Sequence, residues 1–273
     1  MARIVLGIGA PHSPNLPSVA AKNPGFVEGG LYADLRRELE AARADVLLIF
    51  ANDHFNTFFL NNFPLFAIGA APSTAGPNDQ TPMPRYEIPV AEKLAAHIYA
   101  SGVSSGFDLT LCQEFEVDHA FAVPVHFLCD HGRLPILPVF VNCFASPLPL
   151  AERAHALGRM IGSAIRTHHE DMRVAIMASG SFSLEIGGPA IPPNERSGVP
   201  DRNWVARIVE HMQNHRVKDL IQEATPLQMA RAGNAGGELL NWIAMLGAIG
   251  DRVPTSLKPQ PHGHAFGLWR WED

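Results

Sequence analysis

Val46-Leu47-Leu48-Ile49-Phe50-Ala51-Asn52-Asp53-His54 is an unbroken apolar run that ends in three polar residues. A run this short and this free of charge reads as a strand covered on both faces, the pattern of parallel sheets. Just before it, residues 31–44 (LYADLRRELEAARA) set apolar side chains at helical spacing with charges on the opposite face. Earlier still, Ile4-Val5-Leu6-Gly7-Ile8 is a second strand-like run, stopped by Ala10-Pro11-His12-Ser13-Pro14. Strand, helix and strand form a β-α-β unit, which makes the two strands parallel and sends both carboxyl ends to one edge. Open α/β sheets bind their ligands at that edge. His12 and His54 each stand just past one of these ends, a coincidence much less expected by chance than one histidine alone.

The same logic extends along the chain. Residues 134–141 and 174–177 read as further buried strands, the latter leading into Ala178-Ser179-Gly180-Ser181-Phe182-Ser183-Leu184, and residues 148–167 read as a long amphipathic helix. Helices are expected at 202–211, 217–223, 227–231 and 238–249, the last turning Leu239, Trp242, Ile243 and Leu246 inward. The expected fold is therefore α/β: a single domain over residues 1–273, with a central mixed sheet flanked by helices and a metal site at the carboxyl ends of the strands. The aromatic stretch 56–66, with Phe58, Phe59, Phe63 and Phe66, is a candidate pocket wall, although core packing is the more common role. Residues 70–85, dense in Pro, Thr, Gly and Asn, are a candidate lid. The tail 259–273 carries His262, His264, Trp269 and Trp271, too much aromatic surface to be left free.

Composition narrows the function classes. With 21 basic and 27 acidic residues the formal charge is -6, so there is no basic footprint for nucleic acid or an anionic membrane, and a small-molecule partner is expected. The three cysteines form no C-x-x-C pair, which argues against a disulfide framework or thiolate zinc site and fits a reducing cytoplasm. No segment reaches the roughly 18 apolar residues of a membrane span. The early apolar run is read as a core strand rather than a signal peptide.

Gly233-Asn234-Ala235-Gly236-Gly237-Glu238 is a glycine-rich turn that delivers a carboxylate into an apolar helix. Glu238, His12 and His54 would make two imidazoles and one carboxylate with open coordination positions, the facial triad of non-haem Fe(II) oxygenases. Each has a plainer role available: His12 bonding its turn, Glu238 answering the helix dipole. Asn52 and Asp53 are candidate orienting partners of His54, with turn formation as their common alternative. In Val117-Asp118-His119, Asp118 is a candidate N-cap and His119 falls in the first helical turn, where the dipole favours a neutral base. Ser181 and Ser183 are candidate contacts for substrate oxygens.

Taken together, Pro11-His12-Ser13-Pro14, Asn52-Asp53-His54 followed by Phe58-Phe59, Val117-Asp118-His119 and the late Gly-x-x-Gly-x-Glu run ending at Glu238 resemble the class III extradiol ring-cleavage dioxygenases, the group of the protocatechuate 4,5-dioxygenase β subunit, over nearly the whole length. The resemblance implies that His12, His54 and Glu238 bind Fe(II) and that His119 is an active-site acid/base. It implies O2 insertion into a catechol-like substrate of protocatechuate or gallate type, and a homo-oligomer or a complex with a small partner subunit. One departure stands out. Where the family has a Gly-Gly-x-Ser-His loop, this chain has Gly180-Ser181-Phe182-Ser183-Leu184, so Leu184, or Phe182 in a shifted loop, replaces a histidine, and His262 or His264 is the available substitute. A non-catalytic binding protein on the same fold, or a zinc hydrolase using the same three ligands, is the alternative reading.

Overall fold

The computed structural model describes residues 1–130 and 132–271. Its strands are β1 (Arg3–Ala10), β2 (Val46–Ala51), β3 (Phe66–Gly69), β4 (Ser73–Gly76), β5 (Tyr86–Pro89), β6 (Thr110–Cys112), β7 (Ile136–Val141), β8 (Arg173–Ser179), β9 (Glu185–Ile186), β10 (Ser197–Gly198), β11 (Ser256–Pro259) and β12 (Ala265–Arg270). Its helices are α1 (Leu16–Lys22), α2 (Val27–Ala41), α3 (Glu92–Ser104), α4 (His119–Leu128), α5 (Ala151–Thr167), α6 (Arg202–Gln213), α7 (Val217–Glu223), α8 (Pro226–Arg231) and α9 (Leu239–Ile249).

An eight-stranded sheet in the order β11-β12-β1-β8-β2-β7-β3-β6 forms the centre. β1, β8, β2 and β7 are mutually parallel neighbours, whereas β12 runs antiparallel to β1 and β3 antiparallel to β7. The expected mixed sheet is present, and its parallel heart explains the unbroken apolar runs. Alternate residues of one strand enter opposite layers: Val46, Leu48 and Phe50 join the core that holds α5 and α9, and Leu47, Ile49 and Ala51 join the core under α2 and α4.

Two expectations need correction. Residues 70–85 do not form a free lid, because β4 pairs with β5, Thr74, Ala75 and Gly76 are buried, and the Asn78 N–H donates to the Val117 carbonyl (3.0 Å). Here proline and glycine mark a tightly packed path rather than a loose one. The aromatic stretch is divided: Phe66 enters the core, Phe58 packs on Phe140 (5.2 Å between centroids), and Phe59 is exposed. The tail packs as expected, with β11 and β12 extending the sheet beside β1; residues 272 and 273 lie outside the described residues.

Helix α9 is pressed onto α5 and β1 through glycines. A Cβ on Gly158 would fall 1.8 Å from the Ala244 carbonyl oxygen, and one on Gly9 would fall 2.2 Å from the Trp242 ring. These contacts fix the start of α9, and with it Glu238, over the sheet. Gly158→Ala meets backbone that has no room to yield, so it should destabilise by at least about 1–3 kcal/mol. Gly30→Ala, in α2 with nothing within 4 Å of the added carbon, should instead stabilise by roughly 0.5–1 kcal/mol. Urea midpoints of the two variants, at unchanged m-value, check both signs.

Candidate active site

The carboxyl ends of β1, β2, β7 and β8 meet at one edge, and the chain leaves three of them carrying chemistry. Pro11 follows β1, its carbonyl accepts the Tyr32 hydroxyl, and His12 is 5% exposed beyond it. Asn52-Asp53-His54 follow β2, and Gly180-Ser181 follow β8. Glu238 arrives from the opposite direction, at the end of a single tight turn (Gly236–Glu238) that leads into α9. That turn needs glycine: a Cβ on Gly237 would sit 2.2 Å from the Cys143 carbonyl oxygen.

Glu238 lies between the two histidines. Its Oε1 is 3.1 Å from His12 Nε2 and 3.8 Å from His54 Nε2, and its Oε2 accepts the Ser181 N–H at 2.7 Å. Gly180, at φ +146°, makes room, since a Cβ there would stand 2.7 Å from Glu238 Cβ. His119 joins the group, and the nearest ring nitrogens of His12, His54 and His119 lie within 4.8 Å of one another, so these histidines could hold a metal ion. The His54 and His119 rings stack at 4.1 Å. Two ligand sets therefore share His12 and His54, one completed by Glu238 and the other by His119.

Hydrogen bonds fix the free face of each imidazole. The Ser179 hydroxyl donates to the Ala120 carbonyl (2.8 Å), so toward His12 Nδ1 (2.9 Å) its oxygen accepts. His12 Nδ1 thus faces Ser179, and Nε2 is the ring nitrogen turned to Glu238. Asp118 Oδ2 accepts from His54 Nδ1 (2.9 Å) and from the His54 backbone N–H (2.7 Å), while Oδ1 caps α4 through the Ala120 N–H (2.8 Å). Asp79 does the same for His119 Nδ1. Partners of this kind set tautomer and orientation in metal sites.

Charge follows from these contacts. Burial pushes the Glu238 carboxyl up, but His12 and His54 outweigh it and hold the group well below the usual carboxylate range. Asp118 is likewise held low, chiefly by His54 against the pull of burial. Burial draws His54 down, yet Asp118 and Glu238 together raise it to about 10. His119 is lowered, first by burial, with Asp79 opposing and the neighbouring histidines assisting.

Around these groups lies a cavity of about 490 Å³, lined at its deep end by His12, His54, His119 and Glu238 and elsewhere by Leu16, Val19, Phe26, Leu184, Ile186, Val199, Arg196, Glu28, His262 and His264. Ser181 lines it too, but Ser183 does not: its hydroxyl donates to the Ala232 carbonyl (2.8 Å) and accepts the Asp201 N–H (3.1 Å), tying two loops together. Asp53 does not orient His54, because its carboxylate accepts the backbone N–H groups of Asn56, Thr57 and Phe58, so turn formation won. Asn52 is close to His54, with its amide 3.1 and 3.4 Å from the two ring nitrogens and so aimed along the in-plane direction of neither. None of Phe58, Phe59, Phe63 and Phe66 lines the cavity. Phe182 is fully buried against Trp242, so of Phe182 and Leu184 it is Leu184 that faces the cavity. Sequence reasoning missed Asp79, the orienting role of Asp118, Ser179, and Asn241, whose amide donates to the Ser179 carbonyl (2.8 Å) and to Asn52 Oδ1 (3.3 Å). Only Asn241 carried a signal, as a lone amide inside an apolar helix.

Comparison with known proteins follows the same lines. The model of the family described as the catalytic LigB subunit of aromatic ring-opening dioxygenase matches residues 7–265. The chain is 28% identical to a 2,3-dihydroxyphenylpropionate/2,3-dihydroxicinnamic acid 1,2-dioxygenase of Klebsiella pneumoniae, over 89% of this chain and 84% of that one. Identity to the Escherichia coli protein of the same name is 27% over the same shares, and to that of Photorhabdus laumondii 32% over 62% of this chain and 53% of that one. A crystal structure of an uncharacterized Escherichia coli protein superposes with a TM-score of 0.53 at 13% identity, covering 97% of this chain and 98% of that one, and shares the fold. Among the described residues no helix is long and apolar enough to cross a membrane.

The raised His54 gives a pH dependence with a definite sign. In metal-free protein its folded pKa of about 10 stands above the ordinary 6.5, so the stability it lends is complete below 6.5 and is lost as the pH rises through about 10. Urea stability of chelator-treated protein should fall across that window. Asp118→Asn, which keeps an N-cap but removes the charge, should flatten the fall.

Proposed function

The chain belongs to the LigB family of catalytic subunits of aromatic ring-opening dioxygenases, an extradiol aromatic ring-cleavage enzyme, and on that premise we propose that it uses Fe(II), held by His12, His54 and Glu238, to open the ring of a catechol that carries a carboxylate. The observation that carries the ligand assignment is the placement of Glu238 Oε1 at 3.1 and 3.8 Å from the two Nε2 atoms. Adjacent ligands on a metal with bonds of about 2.1 Å stand roughly 3 Å apart, so the donor set fits with small adjustment. Two imidazoles and one carboxylate leave open positions for both reactants. When bound, Fe(II) would supply a centre on which the diol and O2 meet and exchange electron density.

The residues of the chain do the rest. Ser179 and Asp118 keep the lone pairs of His12 and His54 turned to the site. Asp79 holds Nδ1 of His119, so Nε2 of this pKa-lowered imidazole is the atom that takes a substrate hydroxyl proton. Leu16, Val19, Phe26 and Leu184 offer the ring an apolar wall and keep water from it. Arg196, the one Lys or Arg among the described residues that line the cavity, suits an anionic substituent at the mouth. The names of the relatives, which describe acids of dihydroxylated aromatics, support this substrate class; protocatechuate and gallate types belong to it. A reducing cytoplasmic setting, supported by three free buried thiols, is part of the same reading. So is an assembly with further copies or a small partner chain, supported by the exposed Phe59, Leu60 and Leu65 beside the site loop.

Metal analysis and oxygen uptake test the assignment together. His12→Ala, His54→Ala and Glu238→Ala should each lose iron after anaerobic reconstitution, while His119→Ala should keep iron and lose about 10²–10⁴-fold in turnover. Iron content equal to the unmodified protein removes a residue from the ligand set, and zinc retention with ester hydrolysis in place of oxygen uptake would overturn the dioxygenase chemistry.

Arg196 sits exposed at the rim, where an ion pair is screened. Arg196→Ala should therefore raise KM for carboxylated catechols roughly fivefold and leave KM for catechol itself unchanged. Equal KM changes for both substrates would remove the carboxylate role.

A further inference from the structure

Glu28 and His264 line the same cavity as His12, His54, His119 and Glu238, and no step above uses them. Both are buried, at 6% and 5% exposure. His264 Nε2 lies 3.0 Å from Glu28 Oε1, and a carboxylate only accepts, so Nε2 carries the proton and Nδ1 keeps its lone pair. Among the described residues Nδ1 has no hydrogen-bond partner. An imidazole steadied by a buried carboxylate on one nitrogen and open on the other is built to exchange a proton at the open one.

Its position is fixed from two sides. β12 runs antiparallel to β1 in a register that pairs Leu6 with Arg270 and Gly9 with Gly267, which sets the start of β12, and His264 just before it, beside the carboxyl end of β1. The Gly263 carbonyl accepts the N–H groups of Phe182 (2.8 Å) and Ser183 (3.1 Å), which staples the turn before His264 to the loop that carries Ser181 and Leu184. Gly263 itself, at φ +81°, admits no side chain, since a Cβ would lie 1.9 Å from the Ser183 carbonyl oxygen. Glu28 comes from the first turn of α2, where the helix dipole favours an anion.

We propose that His264, oriented by Glu28, is a second proton-transfer group of the ring-cleavage reaction. The inference rests on the catechol reading above. A substrate hydroxyl gives up its proton to His264 Nδ1: the O–H bond breaks, its electron pair stays on oxygen, the N–H bond forms, and the imidazolium charge rests beside the Glu28 carboxylate. The proton returns to an oxygen of the ring-opened product, so catechol and O2 account for every atom of that product. His264 is the catalytic residue in this step and Glu28 the positioning one.

Proton counting under anaerobic conditions tests this without turnover. Binding of 4-nitrocatechol to the iron-loaded protein, followed calorimetrically in buffers of different ionisation enthalpy, gives the number of protons released to solvent. His264→Gln should release about one more than the unmodified protein, because the acceptor is gone. Glu28→Gln, nearly isosteric, should shift the count in the same direction. Both variants should keep iron, and His264→Gln should lose about 10²–10⁴-fold in kcat with little change in KM. An unchanged proton count together with unchanged kcat in His264→Gln overturns the assignment and leaves the catechol reading standing. Failure of the unmodified protein both to bind 4-nitrocatechol and to take up oxygen would instead bring down the catechol reading, and this inference with it.

Discussion

Everything at the site depends on one buried charge. Glu238 is 2% exposed, and an isolated carboxylate at that depth would cost several kcal/mol. The Ser181 N–H and the imidazoles of His12 and His54 offset that cost, and each reaches Glu238 only because a larger feature puts it there. Ser181 depends on Gly180 leaving space, His12 on the end of β1, and Glu238 itself on a glycine turn clamped against Cys143 and on α9 seated over Gly9 by Trp242. A fault anywhere in this chain leaves the carboxylate uncompensated, so site and core are stabilised together.

The same arrangement lets chemically identical side chains do different work. His54 and His119 stack face to face and each gives its Nδ1 proton to an aspartate, yet their basicities move apart. His54 answers to two carboxylates, Asp118 and Glu238, and is driven up; His119 bonds Asp79 and is drawn up by Asp118 as well, but burial, joined by His54 and His12 as neighbours of its own sign, prevails. Unequal division of negative charge thus draws one imidazole of the stacked pair up and lets the other fall. Asp118 links this division to the fold, because the carboxylate that holds His54 also caps α4, whose first residue is His119.

What could be read from residues alone follows from which forces are local. β1, β2, β7 and β8 were legible because strands buried on both faces must be continuously apolar, and the histidines past their ends were legible because parallel connection sends both to one edge. β3 and β6, of four and three residues, offered too little pattern, and β12 was recognised only as packed aromatic surface because its pairing with β1 joins opposite ends of the chain. The errors at the site share one cause. Asp53, one residue from His54, is the partner that sequence suggests and Asp118 reads only as an N-cap, but Asp53 is spent on its own turn and Asp118 arrives from 64 residues away. Ser181 and Ser183 differ only in which side of one loop faces the cavity, a matter settled by Gly263 and Asp201. Asp79 left no mark, since a carboxylate in a stretch rich in Pro and Asn looks like turn chemistry.

Exposure sorts the remaining cavity residues by the kind of effect they can have. Arg196 sits at the rim in contact with solvent, so whatever it gives a bound anion is given almost equally in the ground state and the transition state. Uniform binding of that kind changes affinity and leaves the chemical step alone. Glu28 and His264 are shut away from solvent, where a proton's position is worth far more because water does not screen it. A diol lying against Leu184 and Val199, one end at the histidines and its acid toward Arg196, would thus have its affinity set at the exposed end and its reactivity at the buried one. That separation allows the mouth of the cavity to vary with the acid it admits, provided the buried end, from Glu238 to His264, keeps its pairing.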